Sequence, residues 1–277
     1  MSAGDHYLGL LGKVLTGEAW GDPPLDPWHG VMKNEAGEVI PMPDKGILTG
    51  IIHIEPGAYN PGVRFEGVDW PMTALTMIGS RRLGMLWAIS EQVIADGIPG
   101  DFLEAGVWRG GASIFMGALL FHVHEARDRT LWVADSFCGL PPPDPKVAQD
   151  AGDWHSQLPM LSVPEAEVRA NFVRFGLEAE LNAERIRFLP GWFKDTLPTI
   201  AKGRRFALLR VDADMYASTM DVLTSLYPDV SPGGAVIIDD YYAVRACQTA
   251  VKDFRASHGI TDELIGVGTA AFWRKRA

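Results

Sequence analysis

The sequence has little of what marks secreted, thiolate-metal or nucleic-acid-binding proteins. Its 277 residues include two cysteines, Cys138 and Cys247, too few for a disulfide framework or a thiolate metal site. Lys and Arg number 25 against 35 Asp and Glu, giving a net charge of -10. Such an acidic chain is not expected to bind nucleic acid or an anionic membrane through bulk electrostatics.

Long hydrophobic runs and a secretion signal are also lacking. No stretch of about 18 consecutive apolar residues occurs, so the sequence predicts no membrane-spanning helix. The N-terminus, MSAGDHYLGLLGKVLTG, has neither the basic segment nor the continuous apolar core of a signal peptide. These features predict a cytoplasmic protein without a membrane partner.

Hydrophobic residues make up 47% of the chain, enough for the core of one large domain. The helical spacing of Tyr7, Leu8, Leu11, Val14 and Leu15 predicts an amphipathic first helix. Residues 21–69 are rich in Gly and Pro and predict an extended arm or lid, with a short hairpin at EAGEVIPM. We therefore expect residues 1–70 to form a helix and an arm or lid that belong to the same unit as a main domain over 71–277. An arm that only stabilises the core or a dimer is the alternative.

The main domain has the pattern of an α/β fold. Helical periodicity predicts a helix from Thr73 to Asp96. Short apolar runs then alternate with helical segments, and these runs include DFLEAGV, LWVADSF, IRFLPG, FALLRV, GAVII and AFWRKR. Continuous apolar strands separated by helices are typical of a parallel, Rossmann-like sheet with helices on both faces.

The first of these strands ends in a glycine turn of the kind that approaches a nucleoside cofactor. Glu104 and Gly106 lie at its end, in EAGVWRGGAS, where Trp108 and Arg109 interrupt the glycine spacing of a dinucleotide site. The second strand ends in Asp135, where an acid can accept hydrogen bonds from a ribose diol. The glycine turn and Asp135 together fit an S-adenosylmethionine pocket better than a nicotinamide pocket.

Two later strands each end in a pair of acids. Asp212 and Asp214 follow FALLRV, and Asp239 and Asp240 follow GAVII. Consecutive parallel strands usually lie side by side, so these carboxylates are expected to meet at the edge of the sheet where ligands bind. Oxygen ligands without a matching His or Cys favour Mg²⁺, held by Asp212, Asp239 and Asp240.

Asp214 is then left as a general base or a substrate contact. Capping of the following helices is the alternative role for Asp214 and Asp240.

The motifs around these residues resemble the macrocin O-methyltransferase family, Mg²⁺- and S-adenosylmethionine-dependent enzymes that methylate sugar hydroxyls in antibiotic biosynthesis. The resemblance covers about Asp69 to Ile260 and is carried by DWPMTALTMIG, IPGDFLEAGVWRGGASIFM, LWVADSFCGLPPPDP, GWFKDTLP, LRVDADMYASTMDVLTSLYPDVSPGGAVIIDDY and ACQTAVKDFRASHGI. It implies the fold of class I methyltransferases and a homo-oligomer.

The resemblance also implies roles for individual residues. It implies the following cofactor contacts: Glu104, Gly106 and Ser113 on the methionine side, Trp108 in the same turn, Asp135 and Ser136 at the ribose, and Trp192 near the adenine. It also implies that Asp212, Asp239 and Asp240 bind the metal, and that Asp212 is a further candidate for the general base. The implied acceptor is a small glycoside or a nucleotide sugar, methylated directly and without a covalent intermediate.

Several positions depart from the family pattern. Ala213 stands where Gly is usual, Ala217 where Glu is frequent, and Leu75 where His is common. A related class that methylates catechols places Lys where this chain has Met215, which favours an aliphatic hydroxyl over a phenol. The identity of the acceptor therefore stays open.

Three other functions are alternatives to this interpretation. They are methylation of a non-sugar hydroxyl, cofactor binding without catalysis, and a nicotinamide oxidoreductase, whose glycine fingerprint is missing. Three tryptophans, Trp20, Trp28 and Trp70, either stack on the acceptor or only anchor the arm.

Overall fold

The computed structural model describes residues 2–26, 28–34, 36–40, 51–200 and 203–276. Its strands, in chain order, are β1 (Val31–Asn34), β2 (Ile51–Glu55), β3 (Asp101–Ala105), β4 (Leu131–Asp135), β5 (Ile186–Pro190), β6 (Phe206–Val211), β7 (Val230–Ile238), β8 (Ile265–Val267) and β9 (Ala270–Arg274). The main sheet has the order β5-β4-β3-β6-β7-β9-β8, while β1 and β2 form a separate antiparallel pair.

The helices cover both faces of the main sheet. They are α1 (Ala3–Leu15), α2 (Pro61–Glu66), α3 (Gly79–Ala95), α4 (Gly111–Gly117), α5 (Glu165–Arg174), α6 (Glu178–Asn182), α7 (Phe193–Thr196), α8 (Tyr216–Leu226) and α9 (Arg245–Ser257). Successive residues of a strand point to opposite faces, so Leu208 of β6 packs in the core with α3 and α4, and Leu209 packs in the core with α8 and α9. Burial on both faces explains why the central strands are continuous apolar runs.

The predicted α/β architecture is confirmed, with one difference at the edge of the sheet. Strands β3 to β7 are parallel, but β9 pairs antiparallel with both β7 and β8. Strand β9 was predicted from its apolar run, whereas β8 was not. The three residues of β8 are largely exposed at the sheet edge, so burial imposes no apolar pattern on them.

The long helix before the sheet begins later than predicted. Helix α3 starts at Gly79, not at Thr73. The backbone N–H groups of Thr73 and Ala74 donate to the Asp22 carboxylate, each at 2.8 Å, and those of Leu75 and Thr76 donate to the Leu15 carbonyl. Because these donors are bonded to the N-terminal segment, this stretch does not join the helix and is irregular, with several bends.

The N-terminal segment packs against the core of the main domain. Leu8, Leu11 and Leu15 of α1 belong to the same buried cluster as Leu83 and Phe115. Of the hairpin predicted at residues 35–42, residues 36–40 are described and turn back on β1, where the Ile40 N–H donates to the Met32 carbonyl at 3.0 Å. Residues 35, 41 and 42 lie outside the described residues. Of the described helices, none has the length and apolar character needed to cross a bilayer.

A buried arginine holds this segment in place. Arg64 of α2 is fully buried and makes a bidentate ion pair with Asp69 at 2.8 to 3.1 Å. Its guanidinium also donates to the carbonyls of Thr16 and Asp22, both at 2.8 Å. Every bond joins residues before the main sheet, so this one side chain ties the end of α1 to α2 and to the chain that follows it.

We predict that Arg64→Ala lowers the free energy of unfolding by about 3–5 kcal/mol, because Asp69 would remain buried without its partner. Urea denaturation followed by circular dichroism measures the change. The control is Arg81→Ala, which removes an exposed ion pair with Glu66 and should change stability by about 0–1 kcal/mol. Equal effects of the two substitutions would contradict the structural role of Arg64.

Candidate active site

A cavity of about 990 Å³ opens at the carboxyl ends of the parallel strands. The chain leaving β3 contributes Gly106 and Val107 to its wall, β4 contributes Asp135, and the chains leaving β6 and β7 contribute Asp212 and Asp239. Loops from the N-terminal arm and from the long connection after β4 complete the wall. This is the edge at which open α/β sheets bind ligands.

The glycine turn after β3 is required by close backbone contact. Gly106 has φ +86°, and a Cβ atom at this position would lie 1.7 Å from the carbonyl oxygen of Asp212. The Asp212 N–H in turn donates to the Ala105 carbonyl at 2.8 Å. Only glycine lets the first acid of the β6 pair approach the β3 turn this closely.

Glu104, the first of the predicted cofactor residues, lies on the wall of the cavity. Its carboxylate is almost fully buried and accepts hydrogen bonds from Ser113 and Arg210. Burial raises the pKa of Glu104 to about 7, against the opposing effects of these two partners. Ser113 is fully buried behind it and is not among the residues that line the cavity, which differs from its predicted place beside the cofactor.

The other predicted cofactor residues line the cavity. Asp135 accepts hydrogen bonds from the N–H groups of Val107, at 2.8 Å, and Phe137, at 2.7 Å, so it is fixed at the end of β4. Burial raises its pKa in spite of these bonds. Ser136 and Trp192 lie on the same wall, and Trp192 follows β5, the neighbour of β4.

Trp108 also lines the cavity, but its visible contacts are structural. Its backbone is left-handed, with φ +48°, and its indole N–H donates to the Met160 carbonyl at 2.8 Å. The neighbouring Arg109 donates to the carbonyls of Pro71 and Ala74 and lies 4.1 Å from the Trp108 ring. Trp108 and Arg109, which interrupt the glycine spacing of a dinucleotide site, thus hold the loop at Met160 and the loop at Pro71 and Ala74 against the turn after β3.

The structure brings the three predicted metal ligands together. Strands β6 and β7 are neighbours, and Val211 pairs with Ile238, so the acids that follow them meet. One carboxylate oxygen from each of Asp212, Asp239 and Asp240 lies within 4.8 Å of the others. This is the only cluster of three or more metal-ligating side chains found among the described residues.

Two arginines, which sequence reasoning missed, lie within this acidic cluster. Arg210 contacts Asp212 at 3.0 Å and Asp239 at 2.6 Å, in addition to Glu104. Arg82 of α3 also bonds to Asp239. An arginine inside the otherwise apolar run FALLRV was the available signal for Arg210, because a charge on a buried strand requires partners.

The arginines leave part of the carboxylate charge uncompensated. Burial raises the pKa of Asp240 well above its usual value, and the charges of Asp214, Asp212 and Asp239 raise it further. Burial and the Asp239 charge raise the pKa of Asp212 as well. The second oxygen of Asp240 is buried and has no hydrogen-bond partner.

Asp214 faces the same cavity and does not cap a helix. Its backbone is left-handed, with φ +51°, which is unfavourable for a non-glycine residue. The first N–H groups of α8 donate instead to Asp150, at 2.6 and 3.0 Å. Asp240 provides only its backbone carbonyl to the turn before α9, so the predicted alternative of side-chain capping is wrong for both acids.

His155 is a third cavity residue that sequence reasoning missed. Its Nδ1 lies 3.0 Å from an oxygen of Asp153, and its side chain is close enough to Asp214 for their charges to interact. Burial raises the pKa of Asp214 to about 7, and the His155 charge opposes this rise. Burial lowers the pKa of His155, but the Asp153 hydrogen bond and the nearby acids bring it above its usual value.

The three tryptophans singled out in the sequence separate into two groups. Trp28 and Trp70 line the cavity, and their rings lie 5.0 Å apart in an edge-to-face arrangement. Trp20 is 52% exposed and is not among the lining residues. Their proposed contact with an acceptor stays a prediction.

The sequence matches the family model described as Macrocin-O-methyltransferase (TylF) over residues 4–275. It is 44% identical over 99% of its length to the 8-demethyl-8-(2,3-dimethoxy-alpha-L-rhamnosyl)-tetracenomycin-C 4'-O-methyltransferase of Streptomyces olivaceus, covering 94% of that protein. It is 46% identical over 83% of its length to the demethyldecarbamoylnovobiocin O-methyltransferase of Streptomyces niveus, covering 90% of that protein.

Solved structures agree with these relationships. The O-methyltransferase NovP aligns with a TM-score of 0.81 at 41% identity, over 99% of this chain and 100% of NovP. The calicheamicin methyltransferase CalS11 shares the fold, with a TM-score of 0.60 at 21% identity, over 72% of this chain and 80% of CalS11. Because the family model and the relatives cover nearly the whole chain, the protein belongs to the macrocin O-methyltransferase family and is an O-methyltransferase.

Proposed function

We propose that the protein transfers a methyl group from S-adenosylmethionine to a sugar hydroxyl, with Mg²⁺ bound at the acidic cluster. The observation that carries this proposal is the position of three carboxylates, Asp212, Asp239 and Asp240, on the wall of the cavity that also contains the predicted cofactor residues. In this arrangement an acceptor hydroxyl at the acids would lie next to a cofactor held at β3 and β4.

The residues of the cluster fit a divalent cation. They offer only oxygen donors, which suit Mg²⁺, and one of these oxygens is buried without a partner. The carboxylates of Glu104, Asp214 and the three metal-site acids outnumber the two guanidinium groups of Arg82 and Arg210. When bound there, Mg²⁺ would lower the pKa of an acceptor hydroxyl and stabilise the charge that develops on its oxygen.

The chain's own residues account for the remaining parts of the reaction. Glu104, held by Ser113 and Arg210, offers negative charge to the amino group of the cofactor. Asp135 has further acceptor capacity for the ribose diol. Asp212, a member of the cluster, and Asp214, two residues along, are the candidates for accepting the proton of the hydroxyl, because both line the cavity. No covalent intermediate is needed, and the residues act by positioning and charge stabilisation.

The relatives support a sugar as the acceptor. The Streptomyces olivaceus relative is named for methylating a dimethoxy-rhamnosyl group, and another relative, from Micromonospora griseorubida, is named mycinamicin III 3''-O-methyltransferase. Met215 at the position of the catechol-enzyme lysine remains the sequence argument against a phenol. We further propose that the protein is a homo-oligomer of the cytoplasm that takes a small-molecule acceptor, and that residues 1–70 and 71–277 act as one unit.

We predict that the purified protein binds S-adenosylhomocysteine both after chelator treatment and with Mg²⁺ present. The cofactor residues and the metal ligands lie on different strands of the sheet, so loss of the metal should leave the cofactor contacts in place. Isothermal titration calorimetry under the two conditions measures the affinities. If the folded protein binds no S-adenosylhomocysteine in either condition, the proposed cofactor is incorrect.

We predict that Asp240→Asn abolishes methyl transfer and also abolishes stabilisation by Mg²⁺. A cation that binds only the folded protein raises its stability by about 2.7 kcal/mol at one hundred times its dissociation constant. Formation of S-adenosylhomocysteine from S-adenosylmethionine in the presence of a glycoside acceptor measures methyl transfer, and thermal denaturation with Mg²⁺ or chelator measures the stabilisation. Calorimetric binding of S-adenosylhomocysteine checks that the cofactor pocket of the variant is intact.

With chelator, the Asp240→Asn variant should be at least as stable as the wild type, because one of the mutually repelling carboxylates is removed. Asp195→Asn, on the exposed side of α7, is the matched control and should respond to Mg²⁺ like the wild type. An unchanged Mg²⁺ response in Asp240→Asn would argue against this metal site.

A further inference from the structure

Four aromatic side chains form a closed cluster on one wall of the cavity. The ring centroids of Trp28 and Trp70 are 5.0 Å apart, those of Trp70 and His155 6.3 Å, those of His155 and Trp154 4.7 Å, and those of Trp154 and Trp28 5.3 Å. We name these four residues the aromatic wall. They come from three separate segments of the chain, and all four line the cavity.

The backbone under the aromatic wall is fixed by three acids, of which Asp26 and Asp150 are buried. Asp26 is fully buried and accepts hydrogen bonds from the N–H groups of Trp28 and Trp70, both at 2.9 Å. Asp153 accepts from the His155 N–H and lies against its ring, and Asp150 joins the same loop to the start of α8. The wall is therefore formed before any ligand binds, which lowers the entropy cost of binding.

Several tryptophans of the protein use the indole N–H to support the fold, whereas those of the aromatic wall do not bond in this way to any described residue. Trp87, Trp108 and Trp132 each donate the indole N–H to an acceptor of the protein. Within the described part of the chain, no hydrogen bond is found for the indole N–H groups of Trp28, Trp70 and Trp154. Trp28 is also 47% exposed, so part of an aromatic ring and several donors remain free for a ligand.

The aromatic wall lies on the acceptor side of the cavity. His155 belongs to the wall and interacts electrostatically with Asp214, beside the acids that follow β6 and β7. The predicted ribose and adenine residues, Asp135 and Trp192, follow β4 and β5, on the other side of β3. A molecule bound at the wall would extend from the acids away from the cofactor.

The charge of the cavity determines which group can be attached to the acceptor sugar. Nine acidic side chains line it against three Lys or Arg side chains. Arg82 and Arg210 are already bound to carboxylates, and His29 and His155 each lie against an aspartate. Lys194 is then the one cation of the described lining residues without such a partner. A diphosphate would meet strong repulsion here, whereas a neutral aromatic ring would not.

We propose that the aromatic wall is a binding subsite for a planar aromatic ring in the aglycone of a neutral glycoside, whose sugar presents its hydroxyl at the acids. This proposal rests on the proposed function and narrows the acceptor class to neutral glycosides that carry an aromatic aglycone. It excludes a nucleotide sugar, since the group attached to the sugar must be uncharged.

The test is isothermal titration calorimetry on the full-length protein saturated with S-adenosylhomocysteine and Mg²⁺. The probes are 4-nitrophenyl α-L-rhamnopyranoside, methyl α-L-rhamnopyranoside and TDP-L-rhamnose, chosen because one relative is named for a rhamnosyl acceptor. We expect the aryl glycoside to bind about tenfold more tightly than the methyl glycoside, as aromatic contact adds to the shared sugar contacts. TDP-L-rhamnose should bind more weakly than either.

Trp28→Ala is the main variant, because its half-exposed ring can be removed while the backbone bond to Asp26 is kept. It should remove most of the tenfold preference for the aryl glycoside and leave the affinities for the methyl glycoside and S-adenosylhomocysteine unchanged. Trp154→Ala is the second variant, with the same expected result. Trp20→Ala, an arm tryptophan of similar exposure outside the cavity lining, is the control and should keep the preference.

Several results would overturn the proposal. They are equal affinity for the two glycosides, no binding of either glycoside to a protein that holds S-adenosylhomocysteine, tightest binding of TDP-L-rhamnose, and retention of the aryl preference in both tryptophan variants. Failure of the wild type to bind S-adenosylhomocysteine is a different result, and it contradicts the proposed function itself.

Discussion

The buried ion network around Arg210 is the interaction on which the rest of the site depends. Arg210 lies on the central strand β6 and contacts three acids: Glu104 of the neighbouring strand β3, Asp212 after β6 itself, and Asp239 after the neighbouring strand β7. Without a cation among them, these carboxylates would repel one another in a poorly solvated place. The guanidinium thus fixes the spacing between Glu104, at the proposed cofactor end of the cavity, and the acids that follow β6 and β7.

The same network leaves a charge imbalance where chemistry is proposed. Two arginines neutralise only part of the cluster, and the pKa values of Asp212 and Asp240 are raised because of burial and mutual repulsion. A divalent cation would relieve this repulsion and return these groups to their charged state. The strained backbone of Asp214 lies beside the cluster, as expected where structure is maintained for function.

Buried acids and one buried arginine connect the N-terminal segment to the cavity. Arg64 holds the end of α1, and Asp22 and Asp26 accept backbone donors from the chain around residues 70–74. These bonds are local to the arm and its neighbour, yet they position Trp28 and Trp70 on the cavity wall. The backbone of this part of the arm is therefore held by the fold, while the Trp28 and Trp70 side chains line the cavity.

The sequence by itself determined the alternation of strands and helices, the glycine turn at Gly106 and the acids that end β6 and β7. These features are local, because burial on both faces requires apolar strands and tight turns require glycine. Only the tertiary structure decided that Arg82 of α3 reaches Asp239, that Thr73 and Ala74 bond to Asp22 instead of starting a helix, and that Trp154 meets Trp28 and His155 meets Trp70. These contacts join residues from 51 to 157 positions apart, and no local pattern encodes them because their partners are set by how distant segments pack.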